Sequence, residues 1–224
     1  MDNPISSSPA YAAGSDSTRV QNRVLKNTYM LLSMTLLFSG ATAGLSMALN
    51  LPHPGIIITL VGYFGLLFAT SKFRNSGVGI VCVFALTGFM GLTLGPILSA
   101  YMSLPNGGQI IMNAMAATGV IFLGLSAYVV TTNKDFSFMG GFLTVGILVA
   151  FLAGIGAFFF EIAALSLVVS AMFVLLMSGL ILYETSNIIH GGETNYIMAT
   201  TTLFVSIFNL FTSLLHLMGF MNDE

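Results

Sequence analysis

Apolar residues run in long blocks, separated by short polar breaks. From Tyr29 onward the blocks are Tyr29–Leu49, Gly55–Ser71, Gly77–Met102, Ile110–Thr132, Phe138–Phe160, Leu165–Ile189 and Asn195–Phe220. A membrane-crossing helix needs about 20 apolar residues, with a range of roughly 17–25. Barrel strands would be about half as long and would alternate apolar with polar; these blocks do not alternate. The pattern therefore predicts an all-α integral membrane protein, a seven-helix bundle, with the second span shortest. Connections of a few residues make sequential helices antiparallel neighbours.

The block before Tyr29 differs. Residues 1–28 are rich in Ser, Asn and Ala and hold no long apolar run. This predicts a flexible N-terminal tail. Arg19, Arg23 and Lys26 come late and lead directly into the first span, which reads as a retained anchor and not as a cleaved signal. Residues 221–224 read as a short acidic tail.

Composition narrows the class. Only 6% of the 224 residues are charged and 56% are apolar, against about 25% charged in a soluble domain. Mean hydropathy is +0.94. So few charges cannot wet the surface of a soluble globule of this length. A net charge of −2 gives no basic field for nucleic acid, and the one cysteine, Cys82, allows no internal disulfide. All six basic residues fall on one side of a seven-span arrangement: Arg19, Arg23 and Lys26 before the first span, Lys72 and Arg74 after the second, Lys134 after the fourth. The positive-inside rule then predicts a cytoplasmic N-terminus and an outer C-terminus.

Lipid gives no hydrophobic drive between helices, so small residues and interhelical hydrogen bonds must hold them. Gly40 and Gly44 form G-x-x-x-G in the first span. Gly88, Gly91 and Gly95 share a face of the third, and Gly146, Ala150, Ala153 and Ala157 a face of the fifth. All read as packing surfaces. Gly95-Pro96 is a candidate kink in the third span. In the last span, Asn195, Ala199, Thr202, Ser206, Asn209, Ser213 and His216 repeat every three or four residues and fall within an arc of about 100°. Lipid penalises an outward Asn209, so this stripe is expected to face protein or a cavity, which makes the last helix central. It serves either as a gate or ion path, or only as a polar seam between helices.

Glu184, near the inner end of the sixth span, is the chief functional candidate, because a carboxylate within a span is costly. It lies about 7–8 Å below the span end at 1.5 Å per residue, close enough to reach interfacial water. With Ser206, Asn209 and His216 it makes a candidate gate or ion path; the alternative is a packed acid beside a bundle histidine. The turn His190-Gly191-Gly192-Glu193 joins the last two spans. Gly191 suits a left-handed cap, and Thr194 or Asn195 suits the start of the next helix. The same turn could gate or bind at the inner mouth. Glu161 reads as a solvated loop acid. No H-E-x-x-H, no G-x-S-x-G and no metal-spaced cluster of His, Cys and Asp is present, so no enzyme, metal or cofactor is expected. Ser206 and His216 lie about 15 Å apart along one helix, too far to act as a dyad.

Four segments in order carry a resemblance: Gly91-Leu92-Thr93-Leu94-Gly95-Pro96-Ile97-Leu98, Thr132-Asn133-Lys134-Asp135-Phe136-Ser137-Phe138-Met139-Gly140, Tyr183-Glu184-Thr185-Ser186 and Asn209-Leu210-Phe211. On these the chain, from about Val24 to Phe220, resembles the Bax inhibitor (transmembrane Bax inhibitor motif) family. The run Glu184 to Ile197 is similar to its bacterial YccA-like branch. The resemblance implies a last helix wrapped by the other six, a bacterial inner-membrane location, and a protein that binds and restrains the membrane AAA protease FtsH. The N-terminal tail would be long enough for that protease to grasp. It implies an alternative too, a pH-sensitive calcium or cation leak latched by two buried aspartates in the sixth and seventh helices. Glu184 matches the first of these positions and Ser206 the second, so a carboxyl pair does not form there. Calcium, which prefers several oxygen ligands, belongs to that alternative alone.

Overall fold

In lipid every backbone amide must be satisfied within the chain, which leaves apolar runs of this length one solution, the helix. A computed structural model describes residues 9–222, with side chains described for 19–221. The helices are α1 (Pro9–Ala48), α2 (Ile56–Lys72), α3 (Gly77–Met102), α4 (Gly107–Thr132), α5 (Gly140–Phe159, led in by a single 3-10 turn at Ser137–Met139), α6 (Ala163–Ile189) and α7 (Tyr196–Asn222). Among the described residues there is no strand, and six helices are long and apolar enough to cross a membrane. The shorter helix, α2, has 17 residues, at the lower end of what a crossing needs. Large apolar side chains such as Leu37, Ile57, Val120, Phe142 and Leu175 stand exposed around the outside, as a lipid-facing wall requires.

The chain start departs from expectation. Helix α1 is 40 residues long and begins at Pro9, so residues 9–28 are helical and not a flexible tail. On that stretch Val24 and Thr28 are buried against the bundle, so the helix is anchored before Tyr29. Residues 1–8 lie outside the described residues. At the other end, residues 221 and 222 close α7 instead of forming a tail; Asp223 and Glu224 lie outside the described residues.

Helix α7 is central. It packs against α1, α2, α3, α4 and α6, and it is buried on several sides, through Ala199, Thr200, Leu203, Phe204, Ser206, Leu210 and Leu215. The sixth neighbour implied by the resemblance is missing. Helix α5 packs on α6 and its own lead-in turn, and its backbone does not come close to that of α7.

Small residues make the closest crossing, between α1 and α3. A Cβ on Gly88 would meet Phe38, one on Gly91 would meet Thr42 and the Ser39 carbonyl, and one on Gly95 would meet Ser46. Helix α3 runs on through Pro96. Proline has no amide hydrogen, so the carbonyl of Leu92, four residues earlier, loses its donor. Ser46 Oγ of α1 donates to that carbonyl at 2.9 Å. Gly95 and Pro96 therefore work as a pair, one admitting Ser46 and the other giving it an acceptor. The first span's G-x-x-x-G is different. Gly40 and Gly44 are exposed with nothing near an added Cβ, so within this chain they pack against nothing, contrary to expectation. On α5 the expected face is inward: Ala150 and Ala157 are buried, and Gly146 admits Leu176 of α6.

Candidate functional site

Three regions hold the candidate residues. The first is the end of the bundle where the α6–α7 turn meets the α2–α3 and α4–α5 turns. Helix α6 ends in a Schellman motif. Gly191 has φ +78, its amide donates to Ile188 O at 3.3 Å, and the Gly192 amide donates to Asn187 O at 2.8 Å. Asn195 caps α7: its Oδ1 accepts from the amides of Ile197 and Met198 at 3.0 and 3.1 Å. The Glu193 carboxylate accepts the Asn195 amide at 2.6 Å. Asn195 Nδ2 donates to Arg74 O and Asn75 Oδ1, both at 2.9 Å, tying in the α2–α3 turn.

His190 reaches the α4–α5 turn, with Nε2 at 3.2 Å from Asn133 O and Nδ1 at 2.9 Å from Ser186 O. Ser186 Oγ accepts the Phe136 amide at 2.8 Å and lies 3.5 Å from Asp135. The Ser137 amide donates to Asp135 Oδ1 at 2.8 Å. That backbone bond, aided by the Ser137 side chain and by His190 and Ser186, holds the Asp135 carboxyl below its ordinary value. The loop readings of Gly191 and Asn195 thus hold, and all four members of the turn, His190, Gly191, Gly192 and Glu193, have local structural partners. Asp135, Ser186 and Asn133 were not picked out as an interhelical clamp. The Asp135-x-Ser137 spacing, an Asx-turn signature, was the available signal.

The second region is the inside of the bundle near that end. Glu184 is 5% exposed and makes no hydrogen bond among the described residues. Around that level α1, α6 and α7 join through Tyr29 OH, 3.5 Å from Thr185 Oγ1, and through Thr200 Oγ1, which donates to Thr28 O at 3.2 Å. Thr28 Oγ1 and Ser126 Oγ are buried without partners. Farther along, His216 Nδ1 and Ser170 Oγ are 2.8 Å apart and bridge α7 to α6. That pair sets the antiparallel register, which places Glu184 opposite Thr202 and not Ser206. Ser206 and Asn209 lie about 6 and 10 Å deeper at 1.5 Å per residue. The structure therefore does not bring Glu184 onto Ser206 and Asn209. Ser206 is buried and donates back to Thr202 O at 2.7 Å.

The third region is a cavity of about 440 Å³ midway along the bundle, among α2, α3, α5, α6 and α7. Asn209 lines it, its Nδ2 donating to Val205 O at 2.8 Å. Asn209 is half-buried there. Among the described residues no group of three or more His, Cys, Asp or Glu could hold a metal ion.

With this geometry in view, the comparisons with known proteins fall into place. The family model described as "Inhibitor of apoptosis-promoting Bax1" matches residues 21–223. This chain belongs to the Bax inhibitor family. Within it, the chain is 57% identical over 196 residues to a protein of Pseudomonas aeruginosa that carries no functional name, covering 88% of each chain. It is 52% identical over 203 residues to the "Modulator of FtsH protease YccA" of Escherichia coli, covering 91% of this chain and 92% of the other. A membrane protein of Vibrio cholerae is 45% identical over 204 residues, covering 91% and 92%. The YccA-like resemblance is thereby shown, and the match takes in every helix of the bundle.

Proposed function

We propose that this Bax inhibitor family member sits in the bacterial inner membrane and binds and restrains the FtsH protease. The observation that carries this reading is 52% identity, over about nine-tenths of both chains, with a protein named for modulating that protease. Two features of the molecule are in keeping with it. Helix α1, at 40 residues, is about 60 Å long and outruns the roughly 30 Å hydrocarbon core, giving a polar handle outside the membrane. Its Gly40 and Gly44 lie open on the lipid side, where a partner's membrane helix can approach closely.

The orientation belongs to the same proposal. The α1 entry, the α2–α3 turn and the α4–α5 turn carry the basic residues, and hydrogen bonds join both turns to the α6–α7 turn at one end of the bundle. We assign that end, with the N-terminus, to the cytoplasm and the C-terminus to the outer face. A calcium leak has less support, since the place of a second buried acid is taken by Ser206.

The test is co-purification from detergent-solubilised membranes, together with FtsH substrate turnover on overexpression. Association and slowed turnover are expected. No association and unchanged turnover would overturn the proposal.

A further inference from the structure

The mid-bundle cavity has two properties that a packing defect lacks. It has a side door. Helices α2 and α5 flank it with their backbones apart, and the rings of Phe64 and Phe151 meet across the gap, edge to face with centroids 5.9 Å apart. Phe64 is exposed to the lipid side. An edge-to-face ring pair is a weak contact that can part to admit a ligand. The cavity also has polar groups at hydrocarbon depth. Asn209 stands midway along α7, and Tyr63 and Thr93 line the same space.

The Thr93 hydroxyl is used, donating to Met90 O at 2.8 Å. The Tyr63 hydroxyl and Asn209 Oδ1 have no hydrogen-bond partner among the described residues, and neither is sealed in a water-tight pocket. An acyl tail filling the space would leave both unpaired, which disfavours it. No charged side chain lines the cavity, so an ion has no counterpart there. Its volume of about 440 Å³ lies within the usual range of small-molecule sites.

We propose that this cavity is a binding site for a neutral, lipid-soluble molecule with an apolar body and a hydroxyl oxygen, which enters from the bilayer between Phe64 and Phe151 and hydrogen-bonds to Tyr63 and Asn209. The apolar walls take the body, and the two polar side chains fix its orientation. The proposal stands apart from the reading of FtsH restraint.

Photolabelling of the full chain in lipid nanodiscs tests it, with dodecanol bearing a diazirine as the probe and dodecane bearing the same diazirine as the control. Saturable labelling at the cavity wall, displaced by plain dodecanol, is expected. The double variant Tyr63→Phe, Asn209→Leu should weaken the apparent affinity about thirtyfold, the worth of two hydrogen bonds of ordinary strength. Equal labelling by the dodecane probe would mean an acyl chain fills the space and would overturn the proposal. So would unsaturable labelling spread over the lipid-facing surface, or wild-type affinity in the double variant. Should the double variant lose its thermal transition, Tyr63→Phe alone decides. It removes an oxygen and no packing, and unchanged affinity there would overturn the proposal too.

Discussion

Pro96 withdraws a donor from the Leu92 carbonyl, and Ser46 of a neighbouring helix replaces it at 2.9 Å. Removing the hydroxyl with Ser46→Ala leaves that carbonyl unpaired and should cost about 1 kcal/mol of unfolding free energy in detergent. Pro96→Ala returns an amide hydrogen to the helix, so in that background the same Ser46→Ala should cost markedly less. A double-mutant cycle measures the difference; equal costs in the two backgrounds would refute the account. Asp135 offers a second residue-scale test. Its carboxyl is held below its ordinary value chiefly by the Ser137 amide. A lowered carboxyl contributes its stability above the unfolded value, near 3.8, and loses it as pH falls through the folded value. Exchange protection of the Ser137 amide should therefore be full at neutral pH and decline below about pH 4. In Asp135→Ala it should be weak at every pH.

Among the elements, the α1–α3 crossing shows why glycines of equal spacing are not equivalent. Gly91 faces Thr42 and the Ser39 carbonyl at a distance no Cβ can share, while Gly44, on the other face of α1, meets nothing. Gly91→Leu should overpack the crossing and lower stability by about 1–3 kcal/mol. Gly44→Leu should leave the thermal midpoint in detergent close to wild type, because the new side chain enters the lipid layer. If Gly44→Leu melts as early as Gly91→Leu, the outward assignment of that face is wrong. Helix α5 makes the converse point. It packs on α6 and its own lead-in turn, and its backbone stands off from those of α7 and α2, a separation that leaves the side opening into the cavity.

For the molecule as a whole, three turns and the α1 entry gather at one end, bound by Asn195 to Arg74 and Asn75 and by His190 to Asn133. All six basic residues lie in or beside these segments. Phosphatase and fluorescent-protein fusions should report the N-terminus inside and the C-terminus outside. A C-terminus found inside would mean that α2, with its 17 residues, or another helix does not cross, and the proposed orientation would fall.

Local chemistry was legible in the amino-acid order. The spans follow from apolar runs of membrane length, because lipid leaves the backbone no other way to satisfy its amides. The cap at Gly191 and the start of α7 at Asn195 follow from residue types with few other conformational uses. The polar stripe of the last span marked that helix as sheltered, since amides and hydroxyls are costly in hydrocarbon. Tertiary structure alone decided the rest. Periodicity gives the angle of a residue around its helix but not which neighbour fills that sector, so Gly40 and Gly44 looked no different from Gly91 and Gly95. The depth of Glu184 relative to Ser206 depended on how two antiparallel helices slide, which the Ser170–His216 contact sets. The early start of α1 depended on a surface ready to bury Val24 and Thr28, and no run of polar residues can announce the presence of such a surface.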